Sequence, residues 1–303
     1  MNCNICPKKC NVDRKTTLGF CRAPYDYAVS KAMLHMWEEP AVSGESGSGT
    51  IFFAGCNMRC VFCQNFEISQ LREKNYITMD DEKLSDVMIS LMEKNANNIN
   101  LVSPMHYADR LPGAIRLAKD KGLDIPIVYN TNSYELVETL SMLDGLVDVY
   151  LADFKYVSTE LSKKYSGTRD YFEYADKAVR EMYRQVGETV YDEKGLIKKG
   201  VIVRILLLPG HVLDAKAVFK KLFNEYGNKI AYSLMNQYCP LFGAKNFPEI
   251  NRDVTGKEYN RFVNYALDMG FTNGFIQGEK RRENGKKSIY TPDFDLGGLD
   301  TEK

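Results

Sequence analysis

Three cysteines, Cys56, Cys60 and Cys63, lie within eight residues of one another in the first part of the chain. They follow residues 50–54, an apolar run whose β-branched and aromatic composition is typical of a buried strand. Thiolates favour iron–sulfur clusters or zinc, and three of them leave one iron of a four-iron cluster without a local ligand. Catalytic metals keep an open position of this kind, whereas structural metals close it. The spacing therefore predicts an open-sited iron–sulfur cluster.

Two other arrangements would fill the open coordination position of the metal centre. Cys239, or another distant group, could supply the fourth ligand, and one further cysteine could complete a structural four-ligand zinc site. Cys239 follows an apolar segment near residue 235, so it could also be a substrate-side thiol. A buried and unreactive cysteine is an equally good interpretation, because free cysteines are often buried.

A second cysteine group lies at the very start of the chain and consists of Cys3, Cys6, Cys10 and Cys21. Four thiolates can complete a tetrahedral site, and closed sites are structural by default. Zinc and an auxiliary iron–sulfur cluster both accept four thiolates, so either could bind here. The sequence favours a structural metal over an electron relay at this second site.

Composition limits the classes of partner and the compartment. Forty basic residues balance forty acidic ones, so net charge gives no case for a nucleic-acid or membrane partner. No run of about twenty apolar residues predicts a membrane span, and the first residues lack the layout of a signal peptide. We therefore expect a cytoplasmic protein, in which clustered cysteines are metal ligands or catalysts rather than disulfides.

Strand and helix patterns alternate about six times after residue 50. The predicted strands are residues 50–54, 99–102, 125–129, 147–152, 201–208 and 229–235. The predicted helices are residues 81–94, 108–121, 133–143 (capped by Ser133), 171–187, 214–226 and 255–269. Apolar strands separated by amphipathic helices predict an α/β fold with a parallel sheet, either a barrel or an open doubly wound sheet. In both cases ligands bind at the carboxyl ends of the strands.

The composition also predicts domain boundaries. Residues 1–42 form a small cysteine-rich metal-binding module, and the Ser/Gly-rich residues 43–49 mark a loop after it. Residues 43–280 carry the strand–helix alternation and form the barrel. Residues 281–303 are then a carboxyl-terminal tail.

The spacing Cys-x3-Cys-x2-Cys, with Phe62 before the last cysteine, resembles the signature of the radical S-adenosylmethionine (SAM) superfamily. The resemblance implies a partial (β/α)6 TIM-like barrel in which these cysteines ligate a [4Fe-4S] cluster. SAM would chelate the fourth iron through its amino and carboxyl groups. A reductant such as flavodoxin or ferredoxin would drive its cleavage to a 5′-deoxyadenosyl radical, which abstracts hydrogen. The cofactors carry this chemistry and the protein positions them.

Polar residues at the ends of successive predicted strands extend this resemblance to the pyruvate formate-lyase activating enzymes. Their Thr-Asn-Gly, Asp-Leu-Lys and Arg…Pro-Gly segments have counterparts here that contain Asn130, Asn132, Asp153, Lys155, Arg204 and His211. A carboxylate suits the methionine amino group and a lysine suits its carboxylate. We therefore predict that these six residues bind the cofactor, although each alone could be a hydrogen-bonded loop residue.

One segment departs from the activating enzymes. Where they carry a Gly-Gly-Glu-type motif, this chain has Ser103-Pro104-Met105-His106-Tyr107. His106 with Tyr107 could be an acid–base or radical-relay pair, or His106 could be a hydrogen-bonded structural residue.

Three functions are therefore compatible with the sequence. The leading hypothesis is a radical SAM enzyme that activates a glycyl-radical enzyme, its protein substrate. The departure at residues 103–107 favours a second hypothesis, a radical SAM enzyme that modifies a small molecule or a peptide. The third is a non-catalytic zinc or iron–sulfur binding protein, which the polar residues at the strand ends argue against.

Overall fold

The computed structural model describes residues 2–70, 75–278 and 290–299, and one sheet runs through this part of the chain. Its strands are β1 (Tyr27–His35), β2 (Ser48–Phe53), β3 (Ile77–Met79), β4 (Ile99–Val102), β5 (Ile127–Thr131), β6 (Val149–Asp153), β7 (Val190–Tyr191), β8 (Ile197–Leu206), β9 (Ala231–Met235) and β10 (Gly274–Ile276). Their order is β10-β9-β8-β6-β5-β4-β2-β1-β3, and β7 pairs with β8 outside this path.

Helices connect the strands. They are α1 (Pro40–Ser43), α2 (Phe66–Ser69), α3 (Asp81–Glu93), α4 (Leu111–Asp120), α5 (Val137–Leu140), α6 (Thr159–Ser166), α7 (Tyr171–Val186), α8 (Val212–Tyr226) and α9 (Gly256–Asp268). Short 3-10 turns cover Met105–Tyr107, Ser141–Leu143, Gly227–Lys229 and Ala244–Asn246. Local sequence fixes several of the helix starts; at α9, Thr255 and Glu258 form a reciprocal capping box.

The parallel part of the sheet consists of β2, β4, β5, β6, β8, β9 and β10. Strand β1 is antiparallel to both β2 and β3. Parallel strands joined by helices give the α/β partial barrel that the sequence predicts. A small apolar cluster gathers Ala41 and Val42 of α1 with residues of β5, β6, β8 and β9. Since the amino end of β2 lies beside the loop that carries α1, this helix closes the amino-terminal end of the barrel.

The structure corrects the predicted domain boundary at residue 42. Strand β1 pairs with β2 along much of its length, from Val29 opposite Phe53 to His35 opposite Ser48. The sheet therefore begins at Tyr27, and the cysteine-rich residues before it join the main core through Cys21 and Ala23. Sequence patterns missed β1 because its apolar residues do not alternate regularly.

Part of the predicted carboxyl-terminal tail packs against the sheet. Residues 281–289 and 300–303 lie outside the described residues, but residues 290–299 pack on β1. The Ala32 amide donates to the Gly297 carbonyl at 3.1 Å, and Lys31 forms an ion pair with Asp295 at 2.6 Å. Gly298 has a φ of +76°, and a Cβ there would overlap the Ala32 carbonyl. This segment is therefore fitted against the sheet.

The helix predicted from Ser133 begins later. Ser133 has a φ of +62° and is not a helix cap, and α5 begins only at Val137. The chain turns here because its amides bond side chains of the preceding strand end. Ser133 N donates to Thr131 Oγ1 at 3.1 Å, and Tyr134 N donates to Asn132 Oδ1 at 2.9 Å.

No helix in the described ranges is long and apolar enough to cross a membrane.

Candidate active site

A cavity of about 620 Å³ is lined by residues of β2, β4, β5, β6, β8, β9 and β10 and reaches the carboxyl ends of these strands. This volume falls within the range of roughly 300–1,000 Å³ typical of small-molecule sites. Most of the predicted site residues line it, namely Cys56, Cys60, Cys63, Asn130, Asn132, Asp153, Lys155 and Arg204. Parallel register brings these residues together, because it places the carboxyl ends of neighbouring strands at one edge.

The cysteine loop is held against several other segments. Gly55 has a φ of +91°, and a Cβ there would lie 2.7 Å from the Cys21 carbonyl oxygen, so this turn requires glycine. The Gly55 amide donates to the Ile68 carbonyl at 2.9 Å. The Val61 amide donates to the Tyr165 carbonyl at 2.8 Å. The loop thus has a fixed path from β2 into the cavity wall.

Burial opposes ionisation of the three thiols of the cysteine loop. Burial raises the pKa of Cys56 to about 12 and that of Cys63 to about 11, and it also raises the pKa of Cys60. Neighbouring thiols of the same loop raise the pKa of Cys56 and Cys63 further. Thiolates are the form that binds metal, so the positive charge of a bound cluster would be needed to hold them deprotonated.

Within residues 2–70, 75–278 and 290–299, no group of three or more His, Cys, Asp or Glu side chains is arranged to hold a metal ion. Each cysteine of a four-iron cluster binds a different iron, so the sulfurs of a cysteine loop need not converge on a single point.

The four amino-terminal cysteines lie away from the cavity. Burial raises the pKa of Cys6 to about 12 and also raises that of Cys21, and the thiols of Cys3 and Cys10 add to both shifts. The four groups are therefore close enough to influence one another. A zinc or iron–sulfur site at these cysteines stays a prediction.

A buried ion network forms one wall of the cavity. Arg204 faces Asp153 in the register of β8 with β6, and its Nε donates to Asp153 Oδ1 at 2.7 Å. Its other nitrogens donate to Asn130 Oδ1 at 2.6 Å and Glu38 Oε2 at 3.2 Å. Lys155 Nζ lies 2.7 Å from Asp153 Oδ2. Burial alone would raise the pKa of Asp153, but the cations of Arg204 and Lys155 hold it below its ordinary value.

Two carboxylates of this wall were not among the predicted site residues. Glu38 and Glu39 line the cavity from the loop before α1, and burial raises the pKa of both. Glu38 Oε1 accepts from Asn100 Nδ2 at 3.0 Å, and Glu39 Oε2 has no hydrogen-bond partner among the described residues. Two adjacent acidic residues directly before Pro40 were the available signal, but nothing local showed that they turn into the barrel.

Histidines predicted near the site lie elsewhere. His211 does not line the cavity; it precedes α8, and its Nε2 lies 2.9 Å from the Tyr165 hydroxyl. The structure therefore does not bring His211 together with the other five residues predicted to bind the cofactor. His106 is fully buried, its Nε2 lies 2.9 Å from the Ala54 carbonyl oxygen, and burial lowers its pKa to about 3. His106 does not line the cavity, which favours the interpretation as a hydrogen-bonded structural residue. Cys239 is buried and also lies outside the cavity lining.

The structure is therefore an α/β barrel in which three thiols and a network of charged side chains line the same cavity, which is large enough for a small molecule. Residues 50–222 match the model of the radical SAM superfamily, and the chain belongs to this superfamily. The family implies a [4Fe-4S] cluster and SAM, and the donor set of this cavity, three thiols beside paired cations and carboxylates, fits both groups.

Two relatives come from Methanocaldococcus jannaschii. An uncharacterized protein is 33% identical over 283 residues, which cover 88% of this chain and 76% of the relative. A second protein, named provisionally as a glycyl-radical enzyme activating enzyme, is 31% identical over 111 residues, which cover 37% of this chain and 44% of that protein.

A solved structure is similar in fold. The FeFe-hydrogenase maturase HydG from Carboxydothermus hydrogenoformans superposes with a TM-score of 0.52 at 15% identity, covering 75% of this chain. The chain spans about half of that protein, 52% of its length. At this level of identity the likeness shows the fold alone.

Tyr171 supports the strand ends below the site and provides a test of the packing. Its hydroxyl accepts from the Lys155 amide at 2.9 Å, and its single proton is shared between the carbonyls of Asn132 and Asp153 at 2.9 and 3.0 Å. Tyr171→Phe should lower the free energy of unfolding by about 1–3 kcal/mol, because it leaves buried backbone groups without a partner. Urea unfolding measures this loss. Tyr174→Phe, one turn along α7, is the matched control, and equal stability of the two variants would contradict the assignment.

Proposed function

We propose that this chain is an enzyme that cleaves SAM reductively, with Cys56, Cys60 and Cys63 as the cluster ligands. The observation that supports this most is that the three thiols share one cavity with the Asp153–Arg204 network. When bound, the cluster and SAM supply a 5′-deoxyadenosyl radical that abstracts a hydrogen atom from the substrate.

The residues of the chain would bind and orient the cofactor. Lys155 uses one donor on Asp153, and an ammonium has three, so it can also pair with the methionine carboxylate. Both oxygens of Asp153 already accept hydrogen bonds but have further lone pairs, which suit the methionine amino group. Asn130 and Asn132 offer amide groups to the remaining polar atoms of SAM.

Apolar side chains of the same cavity would keep water from the reacting atoms. Phe52, Met58, Phe62 and Leu206 line it beside the cysteine loop. Exclusion of water protects reactive intermediates from side reactions. A low-potential one-electron donor such as flavodoxin or ferredoxin would supply the electron, and the cytoplasmic location expected from the sequence is part of this proposal.

For the substrate, our first candidate is a glycyl-radical enzyme, whose backbone hydrogen would be abstracted. The similarity over 111 residues to the provisionally named activating enzyme supports this choice. Two exposed apolar side chains at the cavity, Trp37 and Ile276, are 46% and 47% accessible and offer contact to a protein.

The second candidate is a small molecule or a peptide. Ser103 lines the cavity in the segment that replaces the Gly-Gly-Glu-type motif, so cofactor and substrate contacts there differ from those of activating enzymes. The amino-terminal cysteines would hold zinc or an auxiliary cluster under either candidate.

Replacement of Cys60 tests the cluster assignment. Cys60→Ala should lose the cluster's iron and the formation of 5′-deoxyadenosine from SAM, because two thiolates in a loop hold a cluster poorly. Iron analysis and chromatography after anaerobic reduction measure both. Cys239→Ala, outside the cavity, should retain iron and product. Product formation by Cys60→Ala at the control's level would refute the ligand assignment.

Asp153 tests the cofactor site. Hydrogen bonds to charged groups contribute about 1.5–3 kcal/mol, so Asp153→Asn should raise the Kd for SAM about 10- to 150-fold. Equilibrium dialysis with the reconstituted protein gives this value. Asp148→Asn, near the other end of β6, keeps an oxygen for the Ile127 amide and is the control. Unchanged SAM affinity in Asp153→Asn would remove this carboxylate from the site.

The two substrate candidates predict different products of one anaerobic incubation. If the first is right, reduced enzyme with SAM and a glycyl-radical enzyme from the same organism gives the electron paramagnetic resonance doublet of a glycyl radical. The Cys60→Ala variant should give none. Formation of 5′-deoxyadenosine without a protein radical, together with deuterium transfer from a labelled cell extract, would instead establish the second.

A further inference from the structure

Each sulfur atom of the cysteine loop contacts a polar side chain from another segment of the chain. The three contacts are Ser166 Oγ with Cys60 Sγ at 3.0 Å, Ser69 Oγ with Cys63 Sγ at 3.2 Å and Asn132 Nδ2 with Cys56 Sγ at 3.4 Å. The serines end α6 and α2, and the asparagine follows β5. Three separate elements therefore direct polar groups at the three sulfurs.

The surroundings of Asn132 fix the orientation of its amide. Its Oδ1 accepts from the Tyr134 amide at 2.9 Å, and its Nδ2 also donates to Asn57 Oδ1 at 2.8 Å. A flipped amide would place nitrogen against the Tyr134 amide and oxygen against Asn57 Oδ1. The amino group must therefore face Cys56, as a hydrogen-bond donor.

Ser166 belongs to a chain of hydroxyl groups. Its Oγ lies 2.8 Å from the Tyr156 hydroxyl, and both residues are buried. A serine hydroxyl has one proton, and a cysteine thiolate can only accept one, so Ser166 donates to Cys60 and Tyr156 donates to Ser166. The same reasoning makes Ser69 the donor to Cys63 whenever that cysteine is a thiolate.

We propose that Ser166, Ser69 and Asn132 set the reduction potential of the cluster and that Tyr156 acts through Ser166; this inference rests on the proposed function. An added electron increases the negative charge on the ligating sulfurs, so donors stabilise the reduced cluster more than the oxidised one. The four residues are positioning residues, since they act on the cluster through its ligands. Together they make the cluster easier to reduce before SAM is cleaved.

A redox titration of the full-length, reconstituted protein, followed by electron paramagnetic resonance, tests this inference. The signal that changes when SAM is added identifies the cluster with the open iron. Ser166→Ala and Ser69→Ala should each shift the midpoint to more negative potential, and the double variant should shift it further. Ser166→Thr keeps the hydroxyl and should restore the wild-type value. Ser162→Ala is the matched control, because in the described residues the hydroxyl of this buried α6 serine bonds only the Thr159 carbonyl.

Tyr156→Phe distinguishes an effect on the midpoint potential that passes through the Tyr156–Ser166 hydrogen bond from an effect of weaker packing around the site. It should give a smaller shift in the same direction as Ser166→Ala, and none when Ser166 is already alanine, since its effect passes through that hydroxyl. Midpoints of Ser166→Ala and Ser69→Ala equal to that of Ser162→Ala, with iron content and SAM cleavage retained, would overturn this inference alone. A protein that binds no cluster at Cys56, Cys60 and Cys63 would overturn the proposed function as well.

Discussion

The buried guanidinium of Arg204 joins the parts of the molecule that form the cavity. Only 13% of its side chain is exposed, and it bonds Asp153 on β6, Asn130 on β5 and Glu38 in the loop below the barrel. A buried guanidinium without its hydrogen-bond partners would destabilise the fold by several kcal/mol. The folded state therefore keeps these three partners in contact with Arg204. The network therefore fixes the spacing of three neighbouring strands and ties the closed end of the barrel to its open, ligand-binding end.

The position of the cysteine loop depends on the same strand ends that carry this ion network. Its backbone is fixed by distant segments, and its sulfurs receive donors from Ser69, Asn132 and Ser166. Asn132 lies two residues beyond Asn130, so the segment that leaves β5 serves both the ion network and the sulfur environment. Because one rigid segment contacts both, a bound cofactor and the cluster beside it would be held in a defined relative position.

Much of the fold could be predicted because the parallel strands are continuous apolar runs and the long helices have regular apolar faces. The elements that were missed are short or irregular. Strands β3 and β10 have three residues each, which is too few for a periodic pattern, and β1 mixes polar and apolar residues on one face. The predicted helix cap at Ser133 was wrong, because the amides of Ser133 and Tyr134 donate to the side chains of Thr131 and Asn132 at the end of β5.

The cysteine motif, the α/β alternation and most of the strand-end polar residues can be recognised without a structure, because each is encoded within a few consecutive positions. Which side chains reach the cavity depends on how the whole chain folds. Glu38 and Glu39 come from a loop between antiparallel strands and turn into the barrel, whereas His211 follows a strand end but packs against Tyr165 instead. Such outcomes depend on strand register and on contacts between residues far apart in the chain, which no local pattern contains.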